Sequence, residues 1–228
     1  SGDHATTTAR SLLLDWLLAA HRRRVVDLLA RDAVDAARRH WNLVQELPAT
    51  AAAVEESLGR DLAARTARFR DELATEYLTA TREAMRYGAI PEGWRADYDK
   101  GTSGLVRLLS LDGDNVRLLT AMVEICNDWF LDLYNAGDPG RLMEHVDRFT
   151  PFATQLARLV KDRPGDLAAH AALSDFYKFR GFTAGDRARK AELYREALRF
   201  QPGNENVRSL LKDLGEPADG NAEKGDGP

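Results

Sequence analysis

A long uninterrupted helical pattern is the strongest constraint in this sequence. Apolar side chains recur every three or four positions from residue 9 to residue 47, and no glycine or proline interrupts them. Recurrence at that spacing is typical of an α-helix. Three threonines, at residues 6–8, can cap the N-terminus, and Pro48 follows the stretch. The pattern predicts one long helix or two abutting ones.

A second helical segment is predicted after Thr50, with apolar residues on one face as far as Met85 and an end at Gly88 and Pro91. A short connection around Pro48 then makes an antiparallel long-helix hairpin over residues 6–90. Alternating β-branched runs, which mark strands, are absent from the sequence. The predicted fold class is therefore all-α.

A turn phrase recurs in the second half of the chain. Gly113, Gly165 and Gly203 each follow a predicted helix, and each is followed by Asp or Asn that can cap the next one. Recurrence at a period of this order is typical of helical repeats. We predict a degenerate repeat array over residues 91–214, packed against the hairpin, and a disordered tail over residues 215–228.

Residues 167–204 carry the most specific pattern. Small and aromatic residues alternate along two predicted helices: Leu173, Ser174, Tyr177 and Gly181 on the first, then Tyr194, Ala197 and Pro202. This segment resembles a tetratricopeptide repeat, an antiparallel helix pair in which small residues permit close approach. The resemblance implies a superhelical array of helix pairs.

Repeats of this type bind peptides or partner helices on the surface lined by their first helices. On this chain that surface would include Asp175, Lys178 and Phe179. We add Asn127 and Asp128, in the preceding predicted helix, as candidate partner contacts. The resemblance thus implies a protein–protein interaction or scaffold module.

No catalytic or metal-binding pattern is found in the sequence. None of the five histidines lies within helical reach of another, and no Gly-x-Ser-x-Gly motif is present. Cys126, the single cysteine, lies in an apolar run typical of a buried residue. The segment Lys100–Gly104 has the wrong order for a phosphate-binding loop and is interpreted as a helix N-terminus. We predict a non-enzyme without metal or cofactor.

Charge and composition limit the partners. The net charge is −4, without the basic excess of a nucleic-acid surface. The longest apolar stretch, Leu12–Ala20, is too short to cross a bilayer, so no membrane partner is expected. A lone cysteine fits a reducing cytoplasm. The Ala-, Leu-, Arg- and Asp-rich composition indicates a bacterial source.

Three questions stay open at this point. The apolar residues of the first helix, including Trp16, spread around its circumference and need cover from residues 50–110, a second copy of the chain or a flanking domain. A helical ligand- or peptide-sensing regulator is one functional alternative, with the basic first helix as its only DNA-reading candidate. An all-α metal-dependent enzyme is the other, and its scattered acids would be Glu124, Asp128, Asp132 and Glu144.

Overall fold

The computed structural model describes residues 2–86, 94–137 and 139–217. Over these ranges the chain forms nine α-helices and no strand, which confirms the all-α class. The helices are α1 (Gly2–Ala30), α2 (Val34–Ala52), α3 (Glu56–Arg86), α4 (Trp94–Leu111), α5 (Val116–Asn135), α6 (Pro139–Val160), α7 (Leu167–Thr183), α8 (Arg187–Phe200) and α9 (Glu205–Asp213).

The chain divides into two compact units, Ser1–Gly113 and Asp114–Pro228. The boundary predicted at residue 91 differs from this division, because α4 packs with α1, α2 and α3. Two contacts show how α4 is held on α3. The Thr81 hydroxyl donates to the Gly101 carbonyl at 3.1 Å, and the Arg70 guanidinium binds the carboxylate of Asp112, the residue that follows α4. The first unit is thus a four-helix unit rather than a two-helix hairpin.

The long first segment is two helices, with a break that glycine does not mark. Asp32 adopts a left-handed conformation with φ of 61°. The Ala33 N–H donates to the Leu28 carbonyl at 2.8 Å, and the Asp32 N–H donates to the Leu29 carbonyl at 3.1 Å. These two bonds form the Schellman arrangement that ends many helices. Of the two predicted alternatives, two abutting helices is therefore the correct one.

Pro48 does not end a helix. It lies inside α2, and the turn to α3 comes at residues 53–55, so the connection predicted around Pro48 was misplaced. Gly59 allows α2 and α3 to approach closely after that turn, since a methyl group there would lie 2.5 Å from the Ala52 Cβ. The predicted end of this segment, at Gly88 and Pro91, lies outside the described residues.

The helix N-terminus predicted at Lys100–Gly104 is wrong, because α4 begins at Trp94. Thr102 lies inside α4, fully buried, and its hydroxyl donates to the Tyr98 carbonyl at 2.7 Å. A threonine that bonds back to the carbonyl four residues earlier satisfies its hydroxyl without capping a helix. The local sequence therefore resembled a cap although the residue is in a helix interior.

The turn phrase of the second unit produces helix caps at two of its three places. The Asn115 side chain accepts from the Leu118 N–H at 3.2 Å, and the Asn204 side chain accepts from the Val207 N–H at 3.3 Å. Asp166 occupies the same position before α7 but makes no such bond. Asp186 caps α8 by accepting from the Arg189 N–H at 2.8 Å.

The helices α7 and α8 pack as a close pair. Gly181 touches the ring of Tyr194, where a methyl group would lie 2.3 Å from Cε1. Ser174 is fully buried and accepts from the Asn204 amide at 3.1 Å. These residues carry the repeat resemblance, and the superhelical arrangement that it implies stays a prediction.

Only residues 215–217 of the predicted tail are described. Glu216 lies 2.6 Å from Arg195 of α8, so this short piece is attached to the second unit. Across the described residues, the structure contains no helix that is long and apolar enough to cross a membrane.

Candidate protein-interaction face

The five predicted contact residues come together on two neighbouring helices of the second unit. Asn127 and Asp128 lie on α5, and Asp175, Lys178 and Phe179 lie on α7. The two helices pack against each other. The Asn127 amide joins them by donating to the Ala172 carbonyl at 2.9 Å. We call the outward side of this pair the α5–α7 face; its exposed or half-exposed members are Asp128, Leu131, Tyr134, Asp175 and Phe182.

Two of the predicted contacts belong to the core rather than to the surface. Phe179 is only 6% exposed and stacks on Phe130 of α5, with ring centroids 4.6 Å apart and planes at 15°. Asn127 is also buried. The sequence pattern placed both residues on the outward side, whereas the packing of α5 on α7 covers them. Their role is to hold the two helices together.

The two charged residues predicted on α7 bind each other. The Lys178 ammonium pairs with the Asp175 carboxylate one helical turn away. It also lies 4.5 Å from the centroid of the Phe179 ring, within cation–π range. The Lys178 side chain is consequently largely buried, and Asp175 remains the more exposed partner of the pair.

An aromatic edge that the sequence analysis missed borders this face. Phe182 contacts Phe130, Phe179 and Tyr194, and its centroid lies 6.1 Å from that of Tyr134. Tyr134 is 55% exposed and Phe182 36%, with Leu131 alongside at 43%. The signal in the sequence was the four-residue spacing of Phe130 and Tyr134, together with the three-residue spacing of Phe179 and Phe182.

Asp128 is the titratable group on this face whose environment is most clearly unusual. Partial burial raises the pKa of its carboxyl, and the neighbouring carboxylate of Asp132, four residues on, raises it further. Both effects penalise the charged form. Within the described part of the chain, Asp128 makes no hydrogen bond or ion pair that would compensate.

A cysteine and a histidine meet on the other side of α5, but their surroundings do not activate the thiol. Cys126 Sγ lies 3.4 Å from His145 Nε2, which is 2.9 Å from the Cys126 carbonyl oxygen. Trp129 packs on the imidazole with centroids 4.4 Å apart. Burial raises the pKa of the thiol far above its ordinary value. A nucleophilic cysteine needs the opposite shift and access to solvent.

The acids considered for a metal-dependent enzyme do not converge with other ligands. Glu124, Asp128 and Asp132 share one side of α5, and Glu144 is exposed on α6. Trp129 and Phe130, between them in sequence, are buried. In the ranges that the structure covers, no three His, Cys, Asp or Glu residues are grouped as a metal site would require.

The first unit contains a histidine pair that sequence spacing did not reveal. His21 of α1 and His40 of α2 approach to 3.1 Å between their Nδ1 atoms. Burial lowers the pKa of His40, and His21, Arg24 and Arg39 lower it further. The nearby guanidinium groups oppose a bound cation, so this pair is not a favourable metal site.

A groove of about 220 Å³ lies between α1 and α3, with Leu18 and Phe69 among its lining residues. Its charges are largely satisfied by pairs that cross it. Arg22 binds Glu72, and Arg65 binds Asp15. Because these ion pairs join the two helices, the groove is accounted for by helix packing.

No protein-family model, no curated protein and no solved structure matches this chain. The functional argument therefore rests on the geometry of its own residues.

Proposed function

We propose that this protein is an interaction or scaffold module that binds a peptide or a segment of another protein on its α5–α7 face. The observation that carries the proposal is the aromatic edge, where Tyr134 and Phe182 expose ring surface beside Leu131. Adjacent exposed apolar side chains on a soluble surface are typical of interaction sites. Aromatic residues are also enriched among the contacts that dominate binding energy.

The packing of the side chains beneath the aromatic edge also favours binding. Phe182 contacts the stacked pair formed by Phe130 and Phe179, which join α5 to α7. A side chain held by packing loses little conformational freedom when a partner binds. The polar residues Asp128 and Asp175 lie on the same face and supply a rim that can orient the partner.

The argument for a cellular compartment comes from Cys126 and not from the α5–α7 face. Cys126 is buried and is the single cysteine of the sequence, so it has no intrachain disulfide partner, which fits a reducing environment. We therefore place the proposed partner in the cytoplasm.

A displayed peptide library panned against the purified chain tests the function. Selected peptides are then measured by fluorescence anisotropy with wild type and with a Tyr134→Ala/Phe182→Ala variant. We expect the double variant to weaken binding by about thirtyfold or more, since loss of two anchors removes roughly 2 kcal/mol or more.

Leu167→Ala is the matched control, because Leu167 is 75% exposed on α7 but lies at its first residue, away from the aromatic edge. Its affinity for the same peptides is expected to equal that of wild type. Circular dichroism verifies that both variants keep their helices. Failure to select any peptide, or equal binding by the double variant, would contradict the proposal.

A further inference from the structure

The helices α1 and α3 of the first unit run in the same direction, and ion pairs join them at two levels. Arg65 binds Asp15, and seven residues further along each helix Arg22 binds Glu72. Because the residue numbers rise together, the two helices are parallel, and the two pairs are about 10 Å apart along them. These pairs hold α1 and α3 together, but they do not account for the side chains along the rim of the groove.

The α1 side of the groove is apolar and exposed to solvent. Leu12 and Trp16 lie one helical turn apart, and Ala19, which lines the groove, continues the same side of the helix. Leu12 is 66% exposed and Trp16 is 71% exposed. Tryptophan is highly buried on average in folded proteins. The packing of α2 and α3 therefore covers only part of the apolar surface of α1.

Two cations beside this apolar surface have no acidic partner within the described residues. Arg68 of α3 lines the groove and is exposed, while Glu72, four residues on, is held by Arg22. Arg23 is exposed on α1, two helical turns after Trp16. Both acids that line the groove are already paired, so the charge left over beside it is positive.

We propose that the α1–α3 groove binds an acidic amphipathic helix of another protein. Its apolar side chains lie against Leu12 and Trp16, and its carboxylates lie against Arg68 and Arg23; we call these four residues the α1–α3 rim. A third helix fits between two parallel helices because side-chain ridges pack into the grooves of neighbouring helices. An apolar and acidic segment is complementary to an apolar and cationic rim.

The charge of the rim also distinguishes this partner from a second copy of the chain. A symmetric dimer places the same patch of both subunits face to face, so it would bring the unpaired cations of two rims together. Like charges across an interface oppose association. The rim lies wholly in the first unit, and the inference does not depend on the α5–α7 face.

The register of the two helices sets the pattern expected in the partner. Since Arg65 is level with Asp15, Arg68 is level with residue 18 of α1, five residues before Arg23. Five residues of an α-helix rise about 7.5 Å. A helical partner along the groove is therefore expected to carry two acids about four or five positions apart. Apolar residues about four positions apart should lie beside them, to match Leu12 and Trp16.

The test pans a displayed library of helical peptides against the full chain carrying Tyr134→Ala and Phe182→Ala, a bait that excludes peptides needing the α5–α7 face. Selected peptides are measured by fluorescence anisotropy, with each rim variant made in the same background. We expect Trp16→Ala to weaken binding about tenfold or more, and Arg68→Gln about fivefold, since an exposed charge contributes less than an aromatic anchor. High salt should narrow the difference between Arg68→Gln and the bait.

Leu43→Ala and Arg82→Gln are the matched controls. Leu43 is 53% exposed on α2, and Arg82 is an exposed residue of α3 that does not line the groove. Both variants should bind the selected peptides as tightly as the bait does. A selected peptide with its acids replaced by glutamine should bind the bait and Arg68→Gln equally weakly. Circular dichroism verifies that every variant keeps its helices.

The inference is overturned if no helical peptide is selected, if selected peptides carry no acids, or if Trp16→Ala and Arg68→Gln bind as tightly as the bait. Two further measurements test other occupants of the rim. A dimer in sedimentation that is lost in Trp16→Ala would assign the rim to a second copy. Flotation with phosphatidylcholine vesicles containing phosphatidylserine, lost in Arg68→Gln, would assign it to lipid. Either result overturns the inference and leaves the α5–α7 face untouched.

Discussion

Arg107 of α4 binds Asp32 in the turn between α1 and α2, with 3.0 Å between Nε and Oδ1. The same guanidinium donates to the carbonyl of Leu29, three residues before Asp32, at 3.1 Å. One side chain therefore holds both the left-handed residue of the turn and a carbonyl near the end of α1. Carbonyls at a helix end have no partner inside their own helix, and the Leu29 carbonyl accepts from the Asp32 N–H as well as from Arg107.

Replacement of Arg107 by alanine is expected to destabilise the first unit. The bonds involve a charged donor, but the Arg107 side chain is one-third exposed, so solvent screening reduces the effect to about 1 kcal/mol. Urea unfolding followed by circular dichroism measures it. Arg38→Ala is the control, since Arg38 is exposed on α2 and makes no ion pair with the described residues. Equal midpoints for the two variants would contradict the assigned role.

Asp32→Gly should cost less than Arg107→Ala although it breaks the same ion pair. Glycine adopts the left-handed conformation without the penalty of about 1 kcal/mol that a side chain carries there. Arg107 also keeps its bond to the Leu29 carbonyl in this variant. The free energies of unfolding of the two variants provide the comparison. A larger loss for Asp32→Gly would contradict this account, since Arg107→Ala breaks the same ion pair and the bond to the Leu29 carbonyl as well.

Gly181→Ala is expected to disrupt the packing of α7 on α8. The new methyl group would lie 2.3 Å from Tyr194 Cε1, and the Tyr194 ring is only 4% exposed, so it has little room to move. Overpacking of this kind costs up to about 3 kcal/mol, and the higher helix propensity of alanine offsets about 1 kcal/mol. We expect a net loss of about 2 kcal/mol in denaturant unfolding.

Gly140→Ala is the control for this substitution. Gly140 lies in α6, and a methyl group there meets no atom within 4 Å. Without a clash, the helix propensity of alanine should leave stability unchanged or slightly raised. A loss of stability in Gly140→Ala similar to that in Gly181→Ala would show that the close contact with Tyr194 is not the cause.

The histidine pair predicts how stability changes with pH. Burial, then His21, Arg24 and Arg39, lower the pKa of His40 below its ordinary value of about 6.5, so the folded state binds fewer protons than the unfolded state. The contribution of His40 to the free energy of unfolding is therefore fully present above about pH 6.5. It is lost as the pH falls from there toward the lowered pKa. His40→Gln should remove this part of the dependence, measured by thermal unfolding across that range.

His170→Gln is the control for the pH experiment, because His170 lies in the second unit and bonds to the Arg163 carbonyl. In this variant, stability should change with pH between neutral and mildly acidic conditions as it does in wild type. If His40→Gln also keeps that slope, another group is responsible for the dependence.

The parts of the fold that could be predicted depend on local chemistry. Helical periodicity indicated the all-α class, and the side chains of Asn115 and Asn204 cap helices where the turn phrase placed them. The break at Asp32 could not be predicted in the same way. Asp32 is left-handed without glycine, and Arg107, 75 positions further along the chain, supports it.

The candidate site shows the same limit. Helical spacing placed its residues on α5 and α7, and the structure brings those helices together. Spacing alone could not distinguish Phe179, which is covered by Phe130, from Phe182, which stays partly exposed. That difference depends on where α5 packs against α7. The His21–His40 pair was hidden for the same reason, since its members lie on different helices.

Cys126 offers a direct test of how well the core of the second unit is closed. Its side chain is about 1% exposed, and burial strongly raises the pKa of its thiol, so the reactive thiolate is scarce and shielded. We expect a thiol-alkylating reagent at neutral pH to label the native protein far more slowly than the urea-unfolded protein, with mass spectrometry as the readout.

Labelling should also slow when the unit is stabilised and accelerate in Gly181→Ala, because reaction then requires opening of the unit. Rapid labelling in native buffer would contradict the buried position of Cys126, and equal rates in wild type and Gly181→Ala would show that a local opening, separate from the α7–α8 pair, exposes the thiol.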